Sequence, residues 1–315
     1  MKKRRIKKSV IKKGSLALII LLIITILIIS LKISQYHKTN DYKLKTIGYN
    51  KEEIEIIKTQ TDETINYILN NEYNEQIDDI INEKYYIEKN LERYVNYKKE
   101  NENNELKNII ALVNVNRDFE EYTNTKKADI SKKELVLTNK YNYLEKDYKP
   151  ENIVTISSRY AYSGNEAPKE ILDYYIEMFN QAEKDGAELI ISSAYRDYEN
   201  QEETYEYYKS LKGEEYAKTY ASLPGYSEHQ TGLAFDILTT GVLTDEFEKT
   251  KEYEWLINNS YKYGFILRYP KGKENITGYD YESWHFRYVG KEVAQKIHDE
   301  QITYDEYYAY YIEKW

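Results

Sequence analysis

Two histidines, an aspartate and two glutamates fall in two short stretches toward the C-terminal end of this 315-residue chain. In Ser227-Glu-His-Gln-Thr-Gly-Leu-Ala-Phe-Asp236, His229 stands seven residues before Asp236; in Glu282-Ser-Trp-His285, Glu282 stands three before His285. Two imidazoles and one carboxylate make a three-ligand set, the ligand count of a catalytic zinc site whose fourth position stays open for water. Glu282 is then a carboxylate left over, free to take a proton from that water. A lone histidine in a strand is ordinarily a core or surface residue, and Glu-x-x-His recurs by chance. The combination is what points to chemistry.

Such ligands need elements to bring them together. Gly232 suits a tight turn leading into Leu233-Ala-Phe-Asp-Ile-Leu238, which alternates as a strand does, with Leu233, Phe235 and Ile237 on one side and Asp236 on the other. Trp284 to Tyr288 reads as a second strand, with Trp284, Phe286 and Tyr288 on one face and His285 and Arg287 on the opposite one. Upstream, Pro168 opens a helix whose Ile171, Leu172, Tyr175, Ile176, Phe179 and Ala182 form one apolar face, stopped by Gly186. Leu189-Ile-Ile191 follows as a buried strand that delivers Ser192, Ser193, Tyr195 and Arg196 to its end, and Asp197 can cap the helix carrying Gln201. Leu135-Val-Leu137 and Ile153 to Ile156 are further strand candidates. A capping box, Thr303-x-x-Glu306, opens the segment Thr303 to Trp315, with Tyr307, Tyr308, Tyr311 and Ile312 as a packing stripe.

Three blocks, Ser-Ala-Tyr-Arg-Asp-Tyr-Glu-Asn-Gln (193 to 201), the stretch from Ser227 to Asp236, and Glu-Ser-Trp-His-Phe-Arg (282 to 287), resemble the signature blocks of the VanY-type D-alanyl-D-alanine carboxypeptidases, zinc peptidases that trim peptidoglycan stem peptides. The similarity runs from about Leu135 to about His298. It implies that His229, Asp236 and His285 bind one Zn2+ per chain and that Glu282 is the general base. It further implies that Arg196 meets an oxyanion or a substrate carboxylate, and that Gln201, Ser227, Ser193 and Trp284 belong to the substrate pocket. A planar guanidinium suits either anion. Two positions depart from the family pattern: Ser283 stands where proline is usual, and Leu223 where a basic residue is common. The implied reaction is removal of a C-terminal D-alanine from stem peptides. L,D-carboxypeptidase and peptidoglycan endopeptidase activities are alternatives with the same zinc chemistry, and a non-catalytic wall-binding module is an alternative from another class.

Composition narrows the rest. With no cysteine, thiolate sites and disulfides are excluded, so a metal site must use His, Asp and Glu. Net charge is -9, and setting aside the eight Lys and Arg of residues 2 to 13 leaves -17, which repels a phosphate backbone and argues against a nucleic-acid partner. Those basic residues precede an uncharged, mostly apolar run from Gly14 to Leu31, about 27 Å at helical rise and about the hydrocarbon core of a bilayer. We expect an uncleaved single-pass anchor with its basic end cytoplasmic and the enzyme outside. Between residues 33 and 125 no proline occurs, and no glycine follows Gly48. Helices are therefore expected there, opening with an Asn50 to Glu53 capping box and continuing over 74 to 100 and 102 to 113. The expected organisation is a basic tail and anchor over 1–32, a helical stalk over 33–128 and the zinc carboxypeptidase domain over 129–315. The expected fold class is α+β, a small, mainly antiparallel sheet with surrounding helices, of the Hedgehog and D-Ala-D-Ala peptidase kind by the resemblance.

Overall fold

The computed structural model describes residues 2–242 and 244–313. The chain divides into two compact units, Met1–Val95 and Asn96–Trp315.

The first unit is helical. Helix α1 (Lys2–Tyr36) contains a 19-residue apolar stretch, Leu18–Tyr36, with a mean hydropathy of 2.5 and none of it buried. By length and composition it is able to cross a membrane. Shorter helices follow, Asn40–Ile47, Lys51–Ile57, Asp62–Leu69 and Ile77–Asn82, burying Leu44, Ile57, Ile68 and Ile80. Asn50 and Glu53 form the expected reciprocal capping box. The helix expected over 74 to 100 is broken between Asn82 and Leu91. At the break the Ile87 N–H donates to the Tyr94 hydroxyl at 3.2 Å instead of continuing a helical ladder.

The second unit takes in residues N-terminal of the expected boundary at 128/129. Helix Leu106–Asn114 is part of it and buries Ile109, Ile110 and Val113. The centre is a four-stranded sheet of β1 (Ile190–Ser193), β2 (Ala234–Leu238), β3 (Phe265–Leu267) and β4 (His285–Tyr288), in the order β1-β2-β4-β3. All three pairings are antiparallel. One face carries Ile191, Phe235, Ile237, Phe265, Phe286 and Tyr288 into a core shared with the predicted amphipathic helix α2 (Lys169–Lys184). There the Tyr175 ring meets Phe235 edge-on at 5.7 Å. Phe235 and Phe286 are fully buried, each contributing about 1.5–3 kcal/mol. Pro168 sits at the N-cap of α2.

Two local expectations are corrected. Leu135-Val-Leu137 is not a strand, since Ile130–Leu135 winds as a 3-10 turn broken at Lys133 (φ 53°). The carbonyls of Glu134 and Val136 accept from the Arg287 guanidinium at 3.0 and 2.7 Å, so no strand neighbour takes them. In helix α3 (Tyr304–Tyr311) the buried tyrosines are Tyr304, Tyr308 and Tyr310, whereas Tyr307, Tyr311 and Ile312 are half-exposed. The Thr303–Glu306 capping box is present, and Trp315 lies outside the described residues.

Candidate metal centre

The sheet face opposite the core holds the chemistry. Asp236 on β2 and His285 on β4 are direct partners in the antiparallel register, which places both side chains on that face at cross-strand distance. His285 Nδ1 lies 3.1 Å from Asp236 Oδ1. His229 arrives from the 3-10 turn Glu228–Thr231, where Ser227 Oγ accepts from the His229 N–H at 3.3 Å and Gly232 closes the turn with φ 71°. A Cβ on Gly232 would meet Pro168 Cγ at 2.6 Å, so both its conformation and its surroundings require glycine. His229 Nδ1 donates to the Ala194 carbonyl at 2.7 Å, which leaves Nε2 with its lone pair 3.4 Å from Asp236 Oδ2. This is the arrangement by which an outer hydrogen bond fixes the tautomer of a metal-ligating imidazole.

One ligand atom from each of His229, Asp236 and His285 lies within 4.8 Å of the others. Two imidazole nitrogens and one carboxylate oxygen are a borderline-soft donor set suited to Zn2+ and ill suited to Mg2+ or Ca2+, which take oxygens. The residues therefore fit a zinc ion. Electrostatics agree. Burial would raise the Asp236 carboxyl, but the two imidazoles overcome it and hold it well below the usual carboxylate range. Burial likewise opposes charge on both histidines. His229 is pushed down, while the hydrogen bond to Asp236 and the nearby carboxylates of Glu228 and Glu282 lift His285 to about 9. In the metal-free chain a proton on His285 thus supplies the positive charge the carboxylate requires.

Glu282 sits at the turn before β4, where its N–H donates to the Tyr269 carbonyl at 3.2 Å and its carbonyl accepts from the His285 N–H at 3.4 Å. Its Oε2 is 3.6 Å from His285 Nδ1, and the side chain keeps 15% of its surface exposed. Burial pushes its carboxyl up to about 7, His285 and Arg196 opposing and Asp236 assisting. A carboxyl poised there is matched to proton transfer near neutral pH. These groups line a cleft of about 660 Å³, open mouth included, whose walls add Arg196, Gln201, Ser227 and Trp284. Arg196 Nη1 donates to Thr204 Oγ1 at 3.3 Å, and its buried Nε has no partner. Gln201 Nε2 donates to the Ser222 carbonyl at 2.7 Å, leaving Oε1 unpartnered. Asp197 caps the Gln201 helix as the sequence predicts.

The VanY family model, D-alanyl-D-alanine carboxypeptidase, matches residues 165–291, which contain every one of these cleft residues. The D-alanyl-D-alanine carboxypeptidase of Enterococcus faecalis (strain ATCC 700802 / V583) is 38% identical over 182 residues, 55% of this chain and 65% of that protein, so the chain spans just under two thirds of that relative. The bifunctional D-Ala-D-Ala dipeptidase and D-Ala-D-Ala carboxypeptidase VanXYC of Enterococcus gallinarum is 33% identical over 183 residues, 56% of this chain and 94% of that protein. Among solved structures, the LdcB LD-carboxypeptidase is similar with a TM-score of 0.56 and 39% identity, covering 60% of this chain and 91% of that one. The chain belongs to the VanY family.

Of the residues that the VanY resemblance implies for the site, the fold brings His229, Asp236, His285, Glu282, Arg196, Gln201, Ser227 and Trp284 to one cleft. Ser193 is paired with Asp236 in the β1–β2 register but is not among the cleft-lining residues. Beside the metal-binding donors lies a buried charged set that motif reading does not single out, and its Glu228 also lines the cleft. Glu228, adjacent to His229, is fully buried between Arg268 and Arg287, both donating to its Oε1 at 2.9 and 2.8 Å. Burial opposes its ionisation, yet the two guanidiniums hold its carboxyl well below the usual range. Arg268 also reaches Asp305 on α3 in a two-pronged contact. Tyr208, Tyr220, Tyr269 and Tyr279 also line the cleft. In a chain with 37 tyrosines, residue type alone gives these four no signal.

Proposed function

We propose that this chain is a zinc-dependent carboxypeptidase that removes the C-terminal D-alanine from peptidoglycan stem peptides. The observation that carries the reading is the placing of Glu282, a largely buried carboxyl raised to about 7, beside the three convergent donors and in the same cleft as Arg196. Zn2+ held by His229, Asp236 and His285 would supply a Lewis acid and lower the pKa of a bound water to roughly 7. Glu282 takes the proton of the attacking water on its carboxylate and returns it to the leaving amine nitrogen. Arg196, half-buried and with its buried Nε unpartnered, offers a cation to the terminal carboxylate of the peptide or to the oxyanion formed at the scissile carbonyl. Gln201 Oε1 is an acceptor for a substrate N–H.

For location, α1 is read as a single-pass anchor, with the basic end cytoplasmic and the residues after the anchor outside, supported by the apolar stretch Leu18–Tyr36 and the Lys- and Arg-rich sequence before it.

The test uses the full chain in detergent with tri-, tetra- and pentapeptide stems, following products by mass spectrometry with and without chelator. Chelator-sensitive release of D-alanine from the pentapeptide is the expected outcome. Cleavage only at an L,D bond of the tetrapeptide reassigns the substrate, and no cleavage of any stem overturns the enzyme reading.

A further inference from the structure

His285 has two ring nitrogens with different surroundings. Nδ1 faces Asp236 Oδ1 at 3.1 Å and Glu282 Oε2 at 3.6 Å, whereas Nε2 faces Glu228 Oε2 at 3.7 Å. Both His285 Nε2 and Glu228 Oε2 are buried, and each lacks a hydrogen-bond partner. Buried polar atoms seldom stay unpaired, because each has given up its hydrogen bonds to water, and here the two face each other as donor and acceptor. Glu228 cannot swing away. Its Oε1 is held by Arg268 Nε and Arg287 Nη1, Arg287 is tied in turn to the carbonyls of Glu134, Val136 and Tyr288, and Arg268 is gripped by Asp305, which also takes Asn139 Nδ2 at 2.8 Å. Two guanidiniums and two carboxylates balance in charge, so the network is a rigid buried frame with one oxygen, Glu228 Oε2, left over and aimed at a metal ligand.

We propose that Glu228 is a positioning residue for the metal: Oε2 accepts the Nε2–H of His285, fixing the ring so that Nδ1 is the nitrogen presented to the ion. This inference rests on the zinc reading above. His229 is positioned by a backbone carbonyl at 2.7 Å, whereas the acceptor facing His285 Nε2 is a carboxylate at 3.7 Å, a charged acceptor in place of a neutral one. Loss of such outer partners typically costs 10–100-fold in metal affinity.

The test measures zinc affinity of the full chain by competition with a chromogenic chelator, together with the absorption spectrum of the Co2+-substituted protein. In Glu228→Gln an amide oxygen can still serve the arginines, but an NH2 then meets the Nε2–H. Zinc affinity should fall by about 10–100-fold and the cobalt spectrum should shift. Asp305→Asn, which weakens the same frame without touching His285, should lower the melting temperature of the metal-free chain and leave affinity and spectrum near wild type. If both variants lose affinity equally, or if Glu228→Gln keeps wild-type affinity and spectrum, the positioning role is wrong. Should Glu228→Gln lack a cooperative melt, Glu228→Asp decides: it retains the charge between the arginines but withdraws the oxygen, and wild-type affinity and spectrum in that variant overturn the proposal. Absence of zinc binding in the wild-type chain would overturn the zinc reading as well, whereas failure to cleave stems with zinc affinity behaving as above would overturn only the substrate.

Discussion

Glu282 and Asp236 are carboxylates on one cleft, and their surroundings drive them in opposite directions. Asp236 lies between two imidazoles and stays ionised, which suits a ligand. Glu282 has more burial than compensation and rises to about 7, which suits a group that must both accept and return a proton. Separation of two carboxyls by environment is how one site assigns acid–base roles. Glu282→Gln keeps size and shape but removes the accepting oxygen's basicity, so zinc stoichiometry and melting temperature should stay near wild type while turnover falls by about 10²- to 10⁴-fold. Metal content and product release measured on one preparation separate three outcomes. Loss of metal would make Glu282 a ligand, unchanged turnover would make it a bystander, and only full metal with lost turnover agrees with its role as base.

At the scale of elements, the facing of Asp236 and His285 away from the core was legible because strand alternation is a local rule. Phe235 and Ile237 point into the core, so Asp236 must point out of it, and the same parity puts His285 opposite Phe286. The pairing of β2 with β4, which sets Asp236 against His285, is not local; it was supplied by the motif resemblance and not by periodicity. Helix α2 was legible from its apolar face and its Pro168 start. The Glu228–Arg268–Arg287–Asp305 frame was not, because its partners are 37, 40 and 59 residues apart and each charge alone reads as solvated surface. The strand expected at Leu135 failed for a related reason: its carbonyls serve a distant arginine. The turn that carries His229 is where sequence and packing coincide. Gly232→Ala would hold an L-residue at φ 71° with its Cβ against Pro168 and Pro150. The left-handed backbone alone costs about 1–2 kcal/mol. At about 2–4 °C per kcal/mol for a unit of this size, the melting temperature should drop by several degrees, and zinc affinity should fall with it, since the turn sets His229 against Asp236. Thermal unfolding and chelator competition check both; a wild-type melt would show that the Pro168 and Pro150 rings give way.

For the whole molecule, the anchor reading makes a cellular prediction: protease added to intact cells should remove the catalytic unit, and its protection would reverse the orientation inferred from the basic flank. Zinc and folding are coupled through protons as well. In the metal-free chain the His285 pKa is raised to about 9 from an ordinary 6.5, so this group contributes stability that is complete below pH 6.5 and is lost as pH rises through 9. Glu282, raised to about 7, acts in the same direction at lower pH. Zinc requires the neutral imidazole, so it must displace the His285 proton, and from this group its apparent affinity should strengthen by about tenfold per pH unit up to about pH 9. Ligand binding raises stability by RT ln(1 + [L]/Kd), and the two trends therefore oppose each other. Between pH 7 and pH 9, with free zinc held constant by a metal buffer, the melting temperature of the metal-free chain should fall while the increment added by zinc grows. Differential scanning calorimetry at three pH values, with and without buffered zinc, reads both quantities. A zinc increment that stays constant over this range would mean that no proton leaves when the ion binds, and His285 would not be the ligand that exchanges one for the other.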